Sequence, residues 1–477
     1  MQEDVAYAWR VLSVTSLGVV LTGLNSSTLD VGLPSVSRHF NASPTQASWF
    51  LLSYMLVNTV LILLFGRLAD LVGRRRLYVT GLGVLTLGSL GCGLAPTAGV
   101  LIALRAVQAV GAAAIITNTT AQLTDAFPRR LLGTALGLNI TVISAAQVAG
   151  PVVGGALIGA FGWRWVFLFN VPVGLVGLAW ATHTLRPAGT ERAEGRFDGV
   201  GAVLSVVWLG GLVVALSEGG SVGWAAPQVV AGFLALAVGL PAFVLVQRHR
   251  SDPLVDLALL ADRQLAFAYL SVFLLAMARF SLILLASLFF QGAQGLDPLQ
   301  AGLRVTPLAL GMMVASPPVG WLSRHVSTQV LASSGLGVVS GGLLLMAAVV
   351  SPHAGYAPIG VALFLVGVGT GAFMTPNTSS IMSSVPASSR GVANGLRSML
   401  QNTGFVVSTA MSLAIVTSPL APREKRATYA GTLTQLSPAE VGHFVDGFRT
   451  ALVVLTVLCV VAAGASLARG GAARATG

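Results

Sequence analysis

Fourteen apolar runs of membrane-spanning length, separated by short polar turns, divide almost the whole of this 477-residue chain. They cover approximately residues 11–33, 47–65, 77–95, 98–122, 132–160, 165–185, 199–217, 226–247, 264–290, 300–322, 328–350, 355–382, 392–418 and 446–468. Runs of ~20 apolar residues are what an α-helix needs to cross a bilayer. A bilayer also leaves no water for unpaired backbone groups, so each run has to close its own hydrogen bonds as a helix. Between the second and third runs sits Gly66-Arg67-Leu68-Ala69-Asp70-Leu71-Val72-Gly73-Arg74-Arg75-Arg76. A charged, glycine-marked turn wedged between two such runs has no place in a soluble core and fits a tight hairpin at a membrane surface.

Composition agrees. Hydrophobic residues make up 55% and charged residues 9%, against about 25% charged in a soluble domain. The 56 glycines suit helices that pack closely in lipid. A net charge of +11 would raise nucleic acid as a partner of a soluble protein. Here the basic residues fall mostly in short loops on alternate sides, where they set topology. With both ends placed in the cytoplasm, the inner side carries 17 Lys and Arg and the outer side seven, three of the seven within the long loop 419–445. That bias predicts a multi-pass protein of the cytoplasmic membrane with inner termini. The N-terminal residues include Glu3 and Asp4 and lack a basic leader, so the first run reads as a retained helix. Cys92 and Cys459 lie inside apolar runs and read as packing residues, and no metal-ligand cluster stands out.

The chain repeats itself. Phe65–Val72 recurs, weakened, as Val319–Val326; Asn118-Thr119-Thr120 recurs as Asn377-Thr378-Ser379; Gly133-x-Ala135-x-Gly137-Leu138 recurs as Gly391-x-Ala393-x-Gly395-Leu396. Three matches in order at nearly one offset predict duplication of a six-helix unit. The expected organisation is an N-terminal six-helix bundle (1–190), two inserted helices with their linkers (191–262), and a C-terminal six-helix bundle (263–477). Parallel repeats of this kind place a substrate site at their interface near the bilayer midplane.

The motifs carry a resemblance. The 66–76 turn reads G-x-L-A-D-x-x-G-R-R-R. The fourth run carries Leu104-Arg105-x-x-Gln108-x-x-Gly111, and the fifth carries Gly150-Pro151-x-x-Gly154-Gly155. Trp163-Arg164-Trp165-x-Phe167-x-x-Asn170-x-Pro172-x-Gly174 and Gln294-Gly295-x-x-Pro298-x-Gln300-Ala301-Gly302-Leu303 follow. Together these resemble the fourteen-helix drug:proton antiporters of the major facilitator superfamily. The resemblance implies an all-α polytopic fold of two six-helix bundles plus two inserted helices. It also implies efflux of amphipathic small molecules such as drugs or antibiotics in exchange for protons. Gly66, Asp70, Gly73 and Arg74 would then form a cytoplasmic latch between the halves. Gly150, Pro151, Gly154 and Gly155 would form the antiporter motif, a kinked small-residue face touching the other half and blocking leak.

The deep polar residues are few. Arg105 lies about seven residues into its helix, and a charge at that depth faces a partner or a water-filled cavity. Asp30 is the acid clearly inside a span of the N-terminal half, at similar depth. Low dielectric favours a neutral carboxyl and an adjacent guanidinium favours a charged one, so a pair that forms and breaks takes up and releases a proton. The alternative is a static ion pair between helices. The helix-1 pattern of the resembled family is L-D-x-T-x-x-N-x-A-L-P. Here Asn25 stands at the usual Asp and Asp30 at the usual Asn, ~140° around and ~7.5 Å along the helix from one another. Arg279 lies near the midplane without an acid on its own helix. Either it pairs with Asp30 or backbone carbonyls, or the cavity is neutral to positive and takes a neutral or anionic amphiphile. Asn25, Gln108, Asn118, Gln147, Arg279 and Asn377 are the candidate cavity residues. Glu218 reads as an interfacial loop residue after the seventh run. Without a P-loop or a catalytic cluster the chain reads as a transporter and not an enzyme. It is expected to need no cofactor beyond a proton gradient, to be a monomer, and to have substrate, protons and lipid as its partners. Alternatives are an exporter dedicated to one neutral or anionic metabolite, and an uncoupled facilitator or lipid transporter.

Overall fold

A computed structural model describes residues 2–186, 198–250, 257–323, 325–385 and 390–469. Among these residues the chain is helices and turns with no strand: α1 (Gln2–Phe40), α2 (Pro44–Val72), α3 (Arg74–Leu94), α4 (Ala98–Ala126), α5 (Arg129–Phe161), α6 (Trp165–Leu168), α7 (Asn170–Thr184), α8 (Gly199–Val222), α9 (Pro227–His249), α10 (Arg263–Arg279), α11 (Leu282–Leu288), α12 (Pro298–Leu322), α13 (Thr328–Val349), α14 (Tyr356–Ser383), α15 (Arg390–Thr417), α16 (Pro422–Ala430) and α17 (Pro438–Leu467). Thirteen helical stretches are long and apolar enough to span a membrane. The fourteenth crossing is α5, whose described apolar part is Ala145–Phe161. α6 and α7 form one crossing, as do α10 and α11 with the π-turn Phe289–Ala293.

The helices start where the sequence supplies caps. Ser43 and Gln46 close a reciprocal capping box on α2, Ser437 and Glu440 do so on α17, and Thr97, Asp262, Asp297 and Ser327 cap α4, α10, α12 and α13. Each cap satisfies N–H groups that would otherwise face the membrane boundary unpaired. One residue, Gly73 at φ 100°, joins α2 to α3, a backbone geometry that side chains disfavour.

Packing repeats with the sequence. α2 and α3 lie on α4 as α12 and α13 lie on α14; α3 meets α7 as α13 meets α17. The close approach is made by corresponding glycines. A Cβ on Gly111 would sit 2.5 Å from the Gly81 oxygen, and one on Gly369 2.5 Å from the Gly335 oxygen. The two six-helix halves are thus built on one plan.

α8 and α9 form a hairpin, with α8 lying against α2 of one half and α15 of the other. At its foot Asp198, only 2% exposed, accepts from Gly201 N (2.9 Å) and Gln247 Nε2 (2.7 Å), with Arg250 at 3.5 Å. α8 runs on to Val222, so Glu218 is helical and not a loop residue. It accepts from Trp49 Nε1 at 3.4 Å and Thr45 Oγ1 at 3.5 Å on α2.

Two elements differ from expectation. The ninth apolar run is broken at Phe280–Ser281. The Ser281 hydroxyl lies 2.7 Å from Ser412 Oγ and 3.0 Å from Ser408 Oγ on α15, and the Ser281 amide donates to Ser408 Oγ at 3.2 Å. These serines take up polar groups that the break frees. The stretch 419–445, expected as a loop, is folded into α16, a short 3-10 turn at Leu433–Gln435 and the start of α17.

That stretch caps one end of the bundle. Tyr429 is buried, its hydroxyl 2.8 Å from Ser48 Oγ on α2, and Arg38 on α1 donates to Ala430 O at 2.6 Å. Glu424, 4% exposed, accepts from Ala421 N at 2.8 Å and faces His443 Nδ1 at 2.9 Å. Beneath, Gln291 Nε2 donates to Val31 O across the halves at 2.9 Å. The cap belongs to the C-terminal half by chain and rests on the N-terminal half. We call this the capped end; Arg74 marks the other, the arginine end.

Candidate functional site

The centre of the N-terminal half holds a buried guanidinium. Arg105 on α4 is 1% exposed. Its Nε donates to Phe50 O at 3.0 Å, and its Nη1 donates to Gln108 Oε1 at 2.7 Å and to Asn25 Oδ1 at 3.4 Å. Gln108 sits one turn further along α4, so both side chains share a helix face. Its Nε2 donates to Asn25 Oδ1 (2.9 Å) and to Ser89 Oγ on α3 (2.7 Å). The Tyr54 ring lies under the guanidinium, 4.3 Å away. Taking a charge out of water costs several kcal/mol. Three neutral oxygens and an aromatic face offset that here without a carboxylate in contact.

Asp30 faces the same guanidinium from across a gap. Ser26, Asp30, Leu51, Tyr54, Arg105 and Phe280 line a cavity of about 10 Å³ together with Met55, room for roughly one water. Among the described residues the Asp30 carboxylate makes no hydrogen bond or ion pair, and neither does Arg105 Nη2. The buried Tyr54 hydroxyl and Asn25 Nδ2 are also without partners. Asp30 and Arg105 interact electrostatically through this space. The arrangement can hold a proton on Asp30 or an ion pair between the two, according to how far apart they stand.

The C-terminal half contributes the α10–α11 break. Phe280 stacks on Phe405 of α15 with ring centroids 4.0 Å apart. Arg279, 9% exposed, donates to Met312 Sδ of α12 at 3.3 Å and has no carboxylate or carbonyl partner among the described residues. Arg397, which position alone would send toward the membrane surface, instead turns along α15 to Asn394 Oδ1 (3.1 Å) and Gln401 Oε1 (2.9 Å).

The structure thus gathers Asn25, Asp30, Arg105 and Gln108 into one cluster, with Arg279 beside the break in the other half. Asn118 and Asn377 stand elsewhere, at corresponding places late in α4 and α14. Both are fully buried; Asn118 donates to Ala114 O at 2.7 Å and Asn377 accepts from Arg469. Both lie toward the arginine end, outside the lining of the cavity at Asp30 and Arg105, and Asn118 Oδ1 and Asn377 Nδ2 are without partners among the described residues. Gln147 is half-buried on α5.

Of the 150–155 motif, Gly150 and Gly154 press on Ser27 and Thr28 of α1, within their own half. Pro151 and Gly155 meet the other half: a Cβ on Gly155 would overlap Pro298 O, and one on Gly302 would overlap Pro151 O. Backbone touches backbone there, between α5 and α12. Of the expected latch, Gly66 and Asp70 fall within α2, where their side-chain surroundings lie outside the described residues. Arg74 pairs with Asp125 at the end of α4, Nη1 to Oδ1 2.6 Å. That partner lies in the same half, and an ion pair this exposed contributes about 0–1 kcal/mol.

Tyr54, Ser89, the Phe50 carbonyl and the Phe280–Phe405 stack were not singled out from sequence. Polarity marks Tyr54 and Ser89 only weakly, since single hydroxyls in spans are common. Arg105, by contrast, demands partners, and a search for polar residues at its depth on α2 and α3 finds both.

Two helical bundles of one plan, with helices long and apolar enough to cross a bilayer, define a polytopic membrane protein. The sequence profile of the Major Facilitator Superfamily matches residues 15–409, and the chain belongs to that superfamily. It is 34% identical over 421 residues to multidrug resistance protein Stp of Mycobacterium tuberculosis, covering 87% of this chain and 78% of that one. It is 28% identical over 418 residues to riboflavin transporter RibZ of Clostridioides difficile, covering 87% and 90%. The fold is similar to the crystal structure of a bacterial homologue of the human lysosomal transporter Spinster in an inward-facing, unoccupied conformation, with TM-score 0.67, 18% identity and 97% of each chain covered.

Proposed function

We propose that this carrier exports amphipathic small molecules, drugs or antibiotics among them, in exchange for protons moving inward. The two halves rock about the central cluster in alternating access, in the cytoplasmic membrane with both termini inside, and the chain works as a monomer. The observation that carries the reading is the gap between Asp30 and Arg105. Each has hydrogen-bonding capacity that nothing else in the described structure uses, and they belong to different helices. When α1 and α4 bring them together the carboxylate is held charged and releases its proton; when they part it takes one up. No other cofactor is required, because the proton gradient supplies the energy. The bias of basic residues toward the arginine end supports the orientation, and the name of Stp supports drugs as cargo.

A dedicated exporter of one metabolite is the second reading. Arg279 favours it, as does the riboflavin in the name of RibZ. The test is proton flux in proteoliposomes over a panel of cationic, neutral and anionic amphiphiles, with Asp30→Asn and Asp30→Glu beside the unaltered chain. Substrate-induced flux that Asp30→Asn abolishes and Asp30→Glu keeps is the expected result. Transport without proton flux, or normal coupling in Asp30→Asn, sinks the antiport reading.

A further inference from the structure

We infer that the substrate is an organic anion with an aromatic body, and that Arg279 is the residue that receives its acidic group. This rests on the transporter reading above and names its cargo class.

The charge inventory of the membrane interior comes first. Among the described residues, the buried guanidinium groups of Arg105 and Arg279 lie in the interior of the spans with the Asp30 carboxyl, and Arg397 lies closer to the start of α15. Asp30 faces Arg105 across their shared cavity. Arg397 has two amide oxygens on its own helix. That leaves Arg279, nine-tenths buried, with one thioether as its hydrogen-bond acceptor. Sulfur in a thioether is a weak acceptor and does nothing to neutralise the charge. Compare Arg105, which has gathered three oxygens and a tyrosine ring. The fold has satisfied one buried guanidinium and left the other open, and its remaining donors match a planar carboxylate, sulfonate or phosphate in two-point fashion.

The surroundings define the rest of the ligand. Arg279 ends α10 at the helix break, where the chain stops being regular and where discontinuous spans of carriers hold substrates. The next residue, Phe280, stacks on Phe405 and also reaches the Asp30–Arg105 cavity. Met312 on α12 supplies an adaptable apolar wall. An aromatic ring that extends the Phe280–Phe405 stack on an outer face, with its acidic group on Arg279, uses every feature of this corner. A permanent cation would meet uncompensated like charge instead.

The test is equilibrium binding to the full chain in lipid nanodiscs, with empty nanodiscs subtracted and no gradient imposed. The probes are 8-anilinonaphthalene-1-sulfonate, its uncharged parent N-phenyl-1-naphthylamine, and ethidium. The sulfonate is expected to bind at least tenfold more tightly than the parent, and ethidium no more tightly than the parent. Arg279→Gln should bring sulfonate and parent to parity, and Arg279→Lys should recover part of the preference. Met312→Glu keeps the arginine but gives it an internal carboxylate, and it too should erase the preference; it decides the matter if Arg279→Gln does not fold. Equal affinities in the unaltered chain, or a preference that survives Met312→Glu, overturns the inference. Binding needs no proton coupling, so a failed proton-flux experiment leaves this result standing. Flux driven by cations without any sulfonate preference would sink the anion site and spare antiport.

Discussion

Arg105 Nη1 lies 3.4 Å from Asn25 Oδ1, so a neutral amide holds the place where the resembled antiporters carry a helix-1 carboxylate. The acid of this chain sits five residues on, across a cavity from the same guanidinium. In the antiport reading proposed above, coupling would run across that cavity and not through direct contact. Asn25→Asp would restore a carboxylate in direct contact. The double variant Asn25→Asp with Asp30→Asn is expected to regain substrate-dependent proton flux that Asp30→Asn alone has lost. Flux assays in proteoliposomes check this, and a silent double variant would show that position 25 has lost the geometry for the task.

Gln108 is the hub that joins α1, α3 and α4. It accepts from Arg105 and donates to both Asn25 and Ser89. Gln108→Leu keeps the volume and removes every one of these bonds, leaving a buried charge with one fewer acceptor. The expected loss of stability is about 1.5–3 kcal/mol. Thermal unfolding in detergent reads it, and Gln108→Glu should be far milder because it supplies the guanidinium with a charge.

The capped end offers a lock. A Cβ on Gly431 would lie 3.0 Å from Pro34 Cβ, so a small outward shift brings the pair to the ~3.5–4.5 Å of a disulfide. Pro34→Cys with Gly431→Cys should cross-link under oxidation and tie the cap to α1. Transport is expected to stop in the oxidised protein and to return on reduction. The native Cys92 and Cys459 are buried and stay out of the reaction. Full transport by the cross-linked protein would mean that the cap rides passively with α1.

The inserted hairpin has its own anchor. Asp198 caps α8 and receives Gln247 from α9, so Asp198→Ala removes a cap and a buried hydrogen bond at once. The cost is expected at about 1–3 kcal/mol, with Asp198→Asn recovering part of it. Protease accessibility of the α8–α9 pair is the direct readout.

Much of this architecture is legible in the chain. Membrane-length apolar runs give the crossings, and residue counting along α1 and α4 places Asp30 and Arg105 at one depth, where they share a cavity. Three matches at nearly one offset anticipate the repeated packing of α2–α4 and α12–α14, although the glycines that make it close, Gly81–Gly111 and Gly335–Gly369, are not among them. What stays hidden depends on distant partners. The break at Phe280–Ser281 has no proline or glycine to announce it; it relies on Ser408 and Ser412, more than a hundred residues away. The cap was invisible as structure because the polar, charged stretch 419–445 has loop composition. Only the docking of Tyr429 and Arg38 makes it a folded element. The place of Asn118 and Asn377 apart from the Asp30–Arg105 cavity is hidden for a related reason: sequence does not say which way a side chain turns.

In the alternating-access reading proposed above, the cap would bias the carrier toward the state closed at that end. Three polar contacts cross between the halves there, Arg38 to Ala430, Ser48 to Tyr429 and Gln291 to Val31. At about 1 kcal/mol each, they would leave a state open at that end populated on the order of 1%. A ligand confined to that side would bind with its intrinsic affinity scaled down by that fraction. With release to the other side blocked, a molecule offered only to the capped face would therefore show an apparent dissociation constant about a hundredfold above its intrinsic one.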